Sequence, residues 1–175
     1  KDGSDHIFIS APENVAWLLN IRGSDNPNSP IPNCRLILSS KNKFFLISNK
    51  SQTKKLIAKK RLNNHQIINY KDLNYFFDKL KGKKIIIDKK SCSIFFENLI
   101  KKNLKIVNKD DPIYLLKAIK NKNEISNMIE AHIHDGVALT KFLYWMKISN
   151  KKKITEFDAQ NKLESFRKKN NKYLS

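Results

Sequence analysis

Through its first two-thirds the chain alternates strand-length apolar runs with stretches of about ten residues of helical period, and this alternation constrains the possible folds more than any other feature. Residues 6–10 read as a strand, and 12–19 as a helix with Pro12 early, where its missing N–H costs nothing. Residues 35–38 and 44–47 read as strands joined by a hairpin turn at Ser39-Ser40-Lys41-Asn42. Ser51 is placed to cap a helix through Lys60, Ile67-Ile68 lies in a strand, and 73–80 is helical. Residues 85–87 form a further strand, Ser91 caps a helix to about Lys101, and 104–107 closes the series. Strands separated by single helices predict an α/β sheet with helices packed against it.

After Asp110-Asp111-Pro112 the pattern changes. Residues 121–148 contain no proline, and Ile125, Ile129, Ile133 and Val137 fall on one row, so a long helix with a wide apolar stripe is expected. Thr155 opens a second helix to about Lys169, with Asp158 three residues on as an acidic form of the capping box. Two long helices after an α/β block place a domain boundary near residues 110–120. The expected domains are 1–111 and 112–175.

Lysine and arginine number 35 against 16 aspartate and glutamate, a net charge of +19 that first suggests nucleic acid or an anionic membrane. Only Arg22, Arg35, Arg61 and Arg167 are arginine. Lysine, asparagine and isoleucine share A/T-rich codons, so the surplus reads as drift toward lysine at tolerant surface positions. Sites built for phosphate favour the planar fork of arginine. No specific nucleic-acid partner is expected, and any binding should be weak and independent of sequence. No apolar run approaches the ~18 residues of a membrane span, so a soluble chain with no membrane partner is expected. Cys34 and Cys92 lie far apart without metal-ligand spacing, which suggests neither zinc nor a disulfide framework and suits a reduced, cytoplasmic protein. The polar opening residues do not resemble a secretory leader, and the missing initiator methionine suggests a chain cut from a longer one.

No complete catalytic set is visible. His132 and His134 point about 200° apart on a helix and cannot share an ion, and Glu130 with His134 is a solitary pair. Asp110-Asp111 could be paired carboxylates, but before Pro112 they read better as a helix start and linker. The expected catalytic and metal residues of this stretch are therefore none. The most informative segment is 15–25, where Gly23 reads as a helix-ending residue and Asn20, Arg22 and Asp25 gather at the mouth of a loop stiffened by Pro27, Pro30 and Pro32. Arg22 and Asp25 are expected to pair across the base of that loop as a brace at a substrate site or domain interface. The plainer alternative is a solvated loop.

The stretch Val15-Ala16-Trp17-Leu18-Leu19-Asn20-Ile21-Arg22-Gly23-Ser24-Asp25 resembles the middle domain of the Xaa-Pro aminopeptidases of the three-domain type, also called aminopeptidase P. Three further stretches resemble the same family in the same order: Asn28-Ser29-Pro30-Ile31-Pro32 with Arg35-Leu36-Ile37-Leu38; Ala118-Ile119-Lys120-Asn121 with Glu124, Met128, Ala131-His132-Ile133 and Asp135-Gly136-Val137-Ala138-Leu139; and Ile154-Thr155-Glu156 with Lys162-Leu163-Glu164-Ser165-Phe166-Arg167. Residues 41–108 are similar only in pattern. The resemblance implies a creatinase-like (ribonuclease H-like) mixed sheet with flanking helices, incomplete at its N-terminus, followed by the first two helices of a truncated pita-bread catalytic domain. It further implies a metallopeptidase that releases an N-terminal residue before proline with two divalent ions, manganese by expectation. Its substrate would be a peptide with proline in second position, and its expected state is a homodimer. The family's metal ligands find no counterpart here, so the segment is expected to scaffold and to be inactive alone. Pita-bread relatives that lack the ligands bind peptides instead, and a non-catalytic binding module is the alternative.

Overall fold

A computed structural model describes residues 3–27, 29–150 and 153–173. It divides into two compact units, one up to Lys117 and one from Ala118.

The first unit is a six-stranded mixed sheet flanked by helices, the α/β architecture expected. Its strands are β1 (His6–Ile9), β2 (Arg35–Ser39), β3 (Phe44–Ile47), β4 (Ile67–Ile68), β5 (Lys84–Ile87) and β6 (Lys105–Asn108), in the order β4-β3-β2-β1-β5-β6. Only β2 runs against its neighbours; β3 and β4, and β1, β5 and β6, pair in parallel. Between them run α1 (Pro12–Leu18), α2 (Lys50–Ala58), α3 (Leu73–Asp78) and α4 (Ile94–Lys101), and α5 (Ile113–Ala118) follows β6.

Side chains that alternate along a strand supply two cores, one on each face of the sheet. Phe8, Ile37, Ile47, Ile85 and Ile87 meet Leu73 and Phe77 of α3 and Phe96, Leu99 and Ile100 of α4. Their sequence neighbours Ile9, Leu36 and Leu46 face the other way, onto Val15 of α1 and Ile113 of α5.

Three helix ends differ from expectation. Asn20, at φ +48°, takes the left-handed position after α1; its N–H bonds Trp17 O (3.1 Å) and that of Ile21 bonds Ala16 O (3.0 Å), a Schellman ending. Asparagine tolerates that backbone because its short side chain bonds locally. Arg61 then donates to the freed Leu19 and Asn20 carbonyls at 3.0 and 3.1 Å. The N-caps of α2 and α4 are Asn49 and Ser93, rather than Ser51 and Ser91. The helix α5 had no amphipathic period long enough to announce it.

Gly23 has a different task from ending the helix. Its N–H bonds Pro30 O at 2.9 Å, and a Cβ there would lie 2.7 Å from Pro32 Cα, so the two backbones of the loop touch. Gly23→Ala is expected to destabilise the first unit by about 1–3 kcal/mol through this overlap. Gly136→Ala, mid-helix with nothing within 4 Å of its added Cβ, should instead stabilise by up to ~1 kcal/mol. Urea melts of both variants read the difference, and equal shifts would remove close approach as the reason for Gly23.

The second unit comprises α6 (Lys122–Ile148) and α7 (Glu156–Arg167). Each opens on a capping box, Asn121 with Glu124 and Thr155 with Asp158. Arg167 Nε donates to Asp135 Oδ1 at 2.6 Å, and Lys162 lies over the Trp145 ring at 5.6 Å. The expected apolar stripe on α6 is present but uncovered: Ile129 is 56% and Ile133 61% exposed.

Candidate functional site

A groove of about 790 Å³ lies where β1, β5 and β6 end, the place where open sheets with parallel strands present their loops to ligands. Glu13 and Pro12 come from the start of α1, Asp88 and Lys90 from the loop after β5, and Asp110, Asp111 and Tyr114 from the segment that opens α5.

The floor of the groove is a buried polar network. Asn14, fully buried on α1, donates to Asp111 Oδ2 at 2.6 Å and accepts from Lys117 Nζ at 2.5 Å. The other Asp111 oxygen accepts the Ile113 N–H at 2.9 Å, which starts α5. Asp88 accepts the N–H groups of Lys90 (2.9 Å) and Asp111 (3.1 Å). Each carboxylate is satisfied by donors held in place by the fold, which is what a buried charge requires.

The rim is exposed. Lys90 Nζ pairs with Asp110 at 2.8 Å, and that hydrogen bond raises the lysine's pKa. Tyr114 donates to Glu13 Oε1 at 3.2 Å; desolvation and the neighbouring Glu13 charge raise its pKa. Asp110 and Asp111 thus diverge, one outward to Lys90 and one inward to Asn14. They mark a helix start and do not act as a pair.

Arg22 and Asp25 line a separate cavity of about 450 Å³ with Cys34 and the first turn of α2. They do not pair. Asp25 accepts from the Asn33 N–H at 2.6 Å and from Gln52 Nε2 at 2.7 Å, whereas Arg22 turns back to the Ile21 carbonyl at 2.9 Å. A guanidinium so placed satisfies a local carbonyl, leaving the carboxylate to tie the loop's return to α2. Burial pushes the Cys34 thiol up to about 12, which removes it as a nucleophile at neutral pH.

In the second unit His134 Nε2 lies 3.6 Å from Glu130, which also pairs with Lys172, and His132 is not among these contacts. Among the described residues no three His, Cys, Asp or Glu side chains gather as a metal-holding group, so the residues here do not fit the two-ion centre that the resemblance implies and no chemical step is assigned to them. Among the same residues no helix is long and apolar enough to cross a membrane.

Reading the sequence alone missed Asn14, Asp88 and Lys117. Two signals pointed to the first two: a polar residue beside Val15 and Ala16 on a helix otherwise apolar on that side, and an acidic residue directly after Ile85-Ile86-Ile87 at the carboxyl end of a buried strand; nothing local singles out Lys117.

A profile described as Creatinase/Prolidase N-terminal domain matches residues 1–124. The chain belongs to this creatinase/prolidase N-terminal domain family. Xaa-Pro aminopeptidase ApepP of Drosophila melanogaster is 32% identical over 99% of the chain and 29% of its own length, and Xaa-Pro aminopeptidase 1 of Dictyostelium discoideum is 34% identical over 100% and 28%. The creatinase/prolidase fold is also that of a crystal structure of X-prolyl aminopeptidase from Caenorhabditis elegans, described as a cytosolic enzyme with a di-nuclear active site; it has a TM-score of 0.78 and 19% identity, covering 98% of this chain and 29% of that one. An Xaa-Pro dipeptidase from Bacillus anthracis has a TM-score of 0.71 and 16% identity, over 95% of this chain and 45% of its own. The chain spans under a third of the length of these aminopeptidase relatives.

Proposed function

We propose that this chain is the creatinase-like segment, with the opening helices of the catalytic domain, of a metal-dependent Xaa-Pro aminopeptidase. The intact protein is a cytoplasmic hydrolase that releases an N-terminal residue preceding proline. The observation that carries the reading is the identity of 32% and 34% to two proteins named Xaa-Pro aminopeptidase over 99–100% of this chain. In this reading the protein is of the longer, three-domain type: each of those two aminopeptidases is more than three times the length of this chain.

In this reading the domains meet near residues 111–112, and the 1–111 part scaffolds. Its Asp25 ties the loop from Arg22 to Pro32 at a substrate-site or domain boundary, with Arg22 beside it. Two divalent ions, manganese in this reading, belong to parts of the enzyme beyond these residues, where they would supply an activated hydroxide and hold the developing charge. The enzyme acts as a homodimer on peptides with proline in second position.

A paired assay tests this. The intact protein supplied with manganese is expected to cleave a fluorogenic Xaa-Pro-Yaa peptide, to lose that activity to a chelator and to regain it with metal, while the 175-residue chain stays silent. Metal-dependent turnover by the chain would overturn the placement of the centre. Silence from an intact protein that binds such peptides would favour a non-catalytic binding module.

A further inference from the structure

The charge of the first unit is unevenly placed along the strand axis. Five strands start at one end of the sheet and only β2 ends there, so the β2–β3 turn and the returns from α2, α3 and α4 all collect at that end. Lys41 and Lys43 flank the turn, and Lys59, Lys60 and Arg61 follow α2. Lys81, Lys83 and Lys84 lead into β5, and Lys101, Lys102 and Lys105 join α4 to β6. All of these residues are exposed.

Backbone hydrogen bonds hold these segments side by side. Ser40 N bonds Asp5 O at 2.9 Å, Asp5 N bonds Lys84 O at 3.0 Å, and Lys105 N bonds Lys83 O at 2.9 Å. Two acidic residues among those described share this end, and each is engaged: Asp5 accepts the Lys84 N–H at 2.9 Å, and Asp78 accepts from Asn103 Nδ2 at 2.7 Å. The acidic residues Glu13, Asp25, Asp72, Asp88, Asp110 and Asp111 lie toward the opposite end, where the strands finish, and Glu97, midway along α4 and close to Lys101 and Lys105, is paired with Lys89 at 2.7 Å. Basic residues such as Lys50, Lys71, Lys89, Lys90 and Lys109 sit at that opposite end too, so the polarity is one of net charge, set by where the acidic side chains fall. Complementing helix C-termini accounts for the lysines that follow α2 and α4. It does not account for Lys41, Lys43, Lys83, Lys84 and Lys105, which belong to a turn and to strand starts.

We propose that this basic end binds the phosphate backbone of nucleic acid, independently of sequence. Lysines are mobile point charges that neutralise phosphates without reading bases, so the binding is salt-labile and carries no base preference. A membrane surface is the less suitable partner, because stable attachment takes an inserted apolar face or a second anchor beside the charge. The exposed Ile94, Phe95, Leu115 and Leu116 lie at the opposite end, and one exposed aromatic, Tyr75 on α3 with Lys79 Nζ 4.2 Å from its ring, is too small an apolar face to insert.

The test uses the intact protein and a labelled random-sequence DNA duplex, followed by fluorescence anisotropy between about 50 and about 200 mM salt. One variant carries Lys43→Glu, Lys59→Glu, Lys83→Glu and Lys102→Glu. A control with the same change in net charge carries Lys50→Glu, Lys54→Glu, Lys55→Glu and Lys71→Glu. The first variant is expected to lose at least about tenfold in affinity at the lower salt and to flatten the slope of log K on log salt by about 3.6, four contacts at about 0.9 each; the control should lose less than about threefold. The Lys→Gln versions of the first four positions, which add no carboxylates, should show the same flattening and cover the case in which the glutamate variant misfolds. Equal losses in both variants, a drop in melting temperature with unchanged duplex affinity, or tighter binding to vesicles containing phosphatidylserine than to the duplex would each overturn the proposal.

Discussion

Asp111→Ala is expected to lower the stability of the first unit by about 2–5 kcal/mol, read as a shift of the urea midpoint without a change in slope. The residue is 4% exposed, and its two oxygens satisfy Asn14 Nδ2 at 2.6 Å and the Ile113 N–H at 2.9 Å. Removing the carboxylate leaves both donors buried without an acceptor, and each such group costs about 1–3 kcal/mol. Lys117 then faces Asn14 with no carboxylate behind it. Asn14→Ala should cost a similar amount from the other side, because it strips the acceptor from Lys117 and a donor from Asp111. The double variant should cost less than the two singles together, since residues in one network couple. Strict additivity, or a loss below ~1 kcal/mol in either single variant, would show that the network carries little of the unit's stability.

Hydrogen exchange on the 175-residue chain should find the amides of α6 and α7 at least ~100-fold less protected than those of β1 and β5, the low-stability end of what one chain spans. Among the described residues of the two helices Ala138 alone is buried, while Ile125, Ile129, Ile133 and Val137 are 48–61% exposed. Each large apolar side chain left in water forgoes roughly 1.5–3 kcal/mol. Half a dozen amount to about 9–18 kcal/mol, comparable to the ~5–15 kcal/mol that holds a typical domain together. The ties that remain are surface contacts such as Asp135–Arg167, and exposed ion pairs contribute ~0–1 kcal/mol. The Arg167 hydrogen bond holds the Asp135 carboxyl below its ordinary value, so this contribution is present at neutral pH and is lost as pH falls below the usual carboxylate range. Sedimentation should also show self-association, which covers the stripe. Exchange in α6 and α7 as slow as in the sheet, in a monomer, would contradict the expectation.

Signals that act within a few residues were legible in the sequence. Pro12 opens α1, Thr155 with Asp158 opens α7, and the alternation of apolar runs located all six strands within about a residue or two. Such signals depend on contacts at i±3 and i±4 or on which neighbours face the same side, and those travel with the local sequence. The stripe on α6 was equally visible, since 3.6-residue periodicity is a property of the helix itself. What the stripe packs against is not.

Only the tertiary structure decided the rest. The spacing of residues along the chain does not say that β1 sits between β2 and β5, yet that order carries α1 to the ends of β5 and β6. Asn14 and Asp111, 97 positions apart, meet at 2.6 Å for that reason alone. The same holds for Gly23: its type suggested a helix end, but Asn20 makes that turn, and glycine is required because the loop's return brings Pro32 into contact with it. Arg22 and Asp25 stood close enough in sequence to pair, but better-placed donors on Asn33 and Gln52 took the carboxylate once α2 had packed beside the loop. Local sequence determined which elements form and where they start. Long-range burial of the two sheet faces determined which polar groups meet, because a buried carboxylate or amide must take whatever partners the packed elements bring to it.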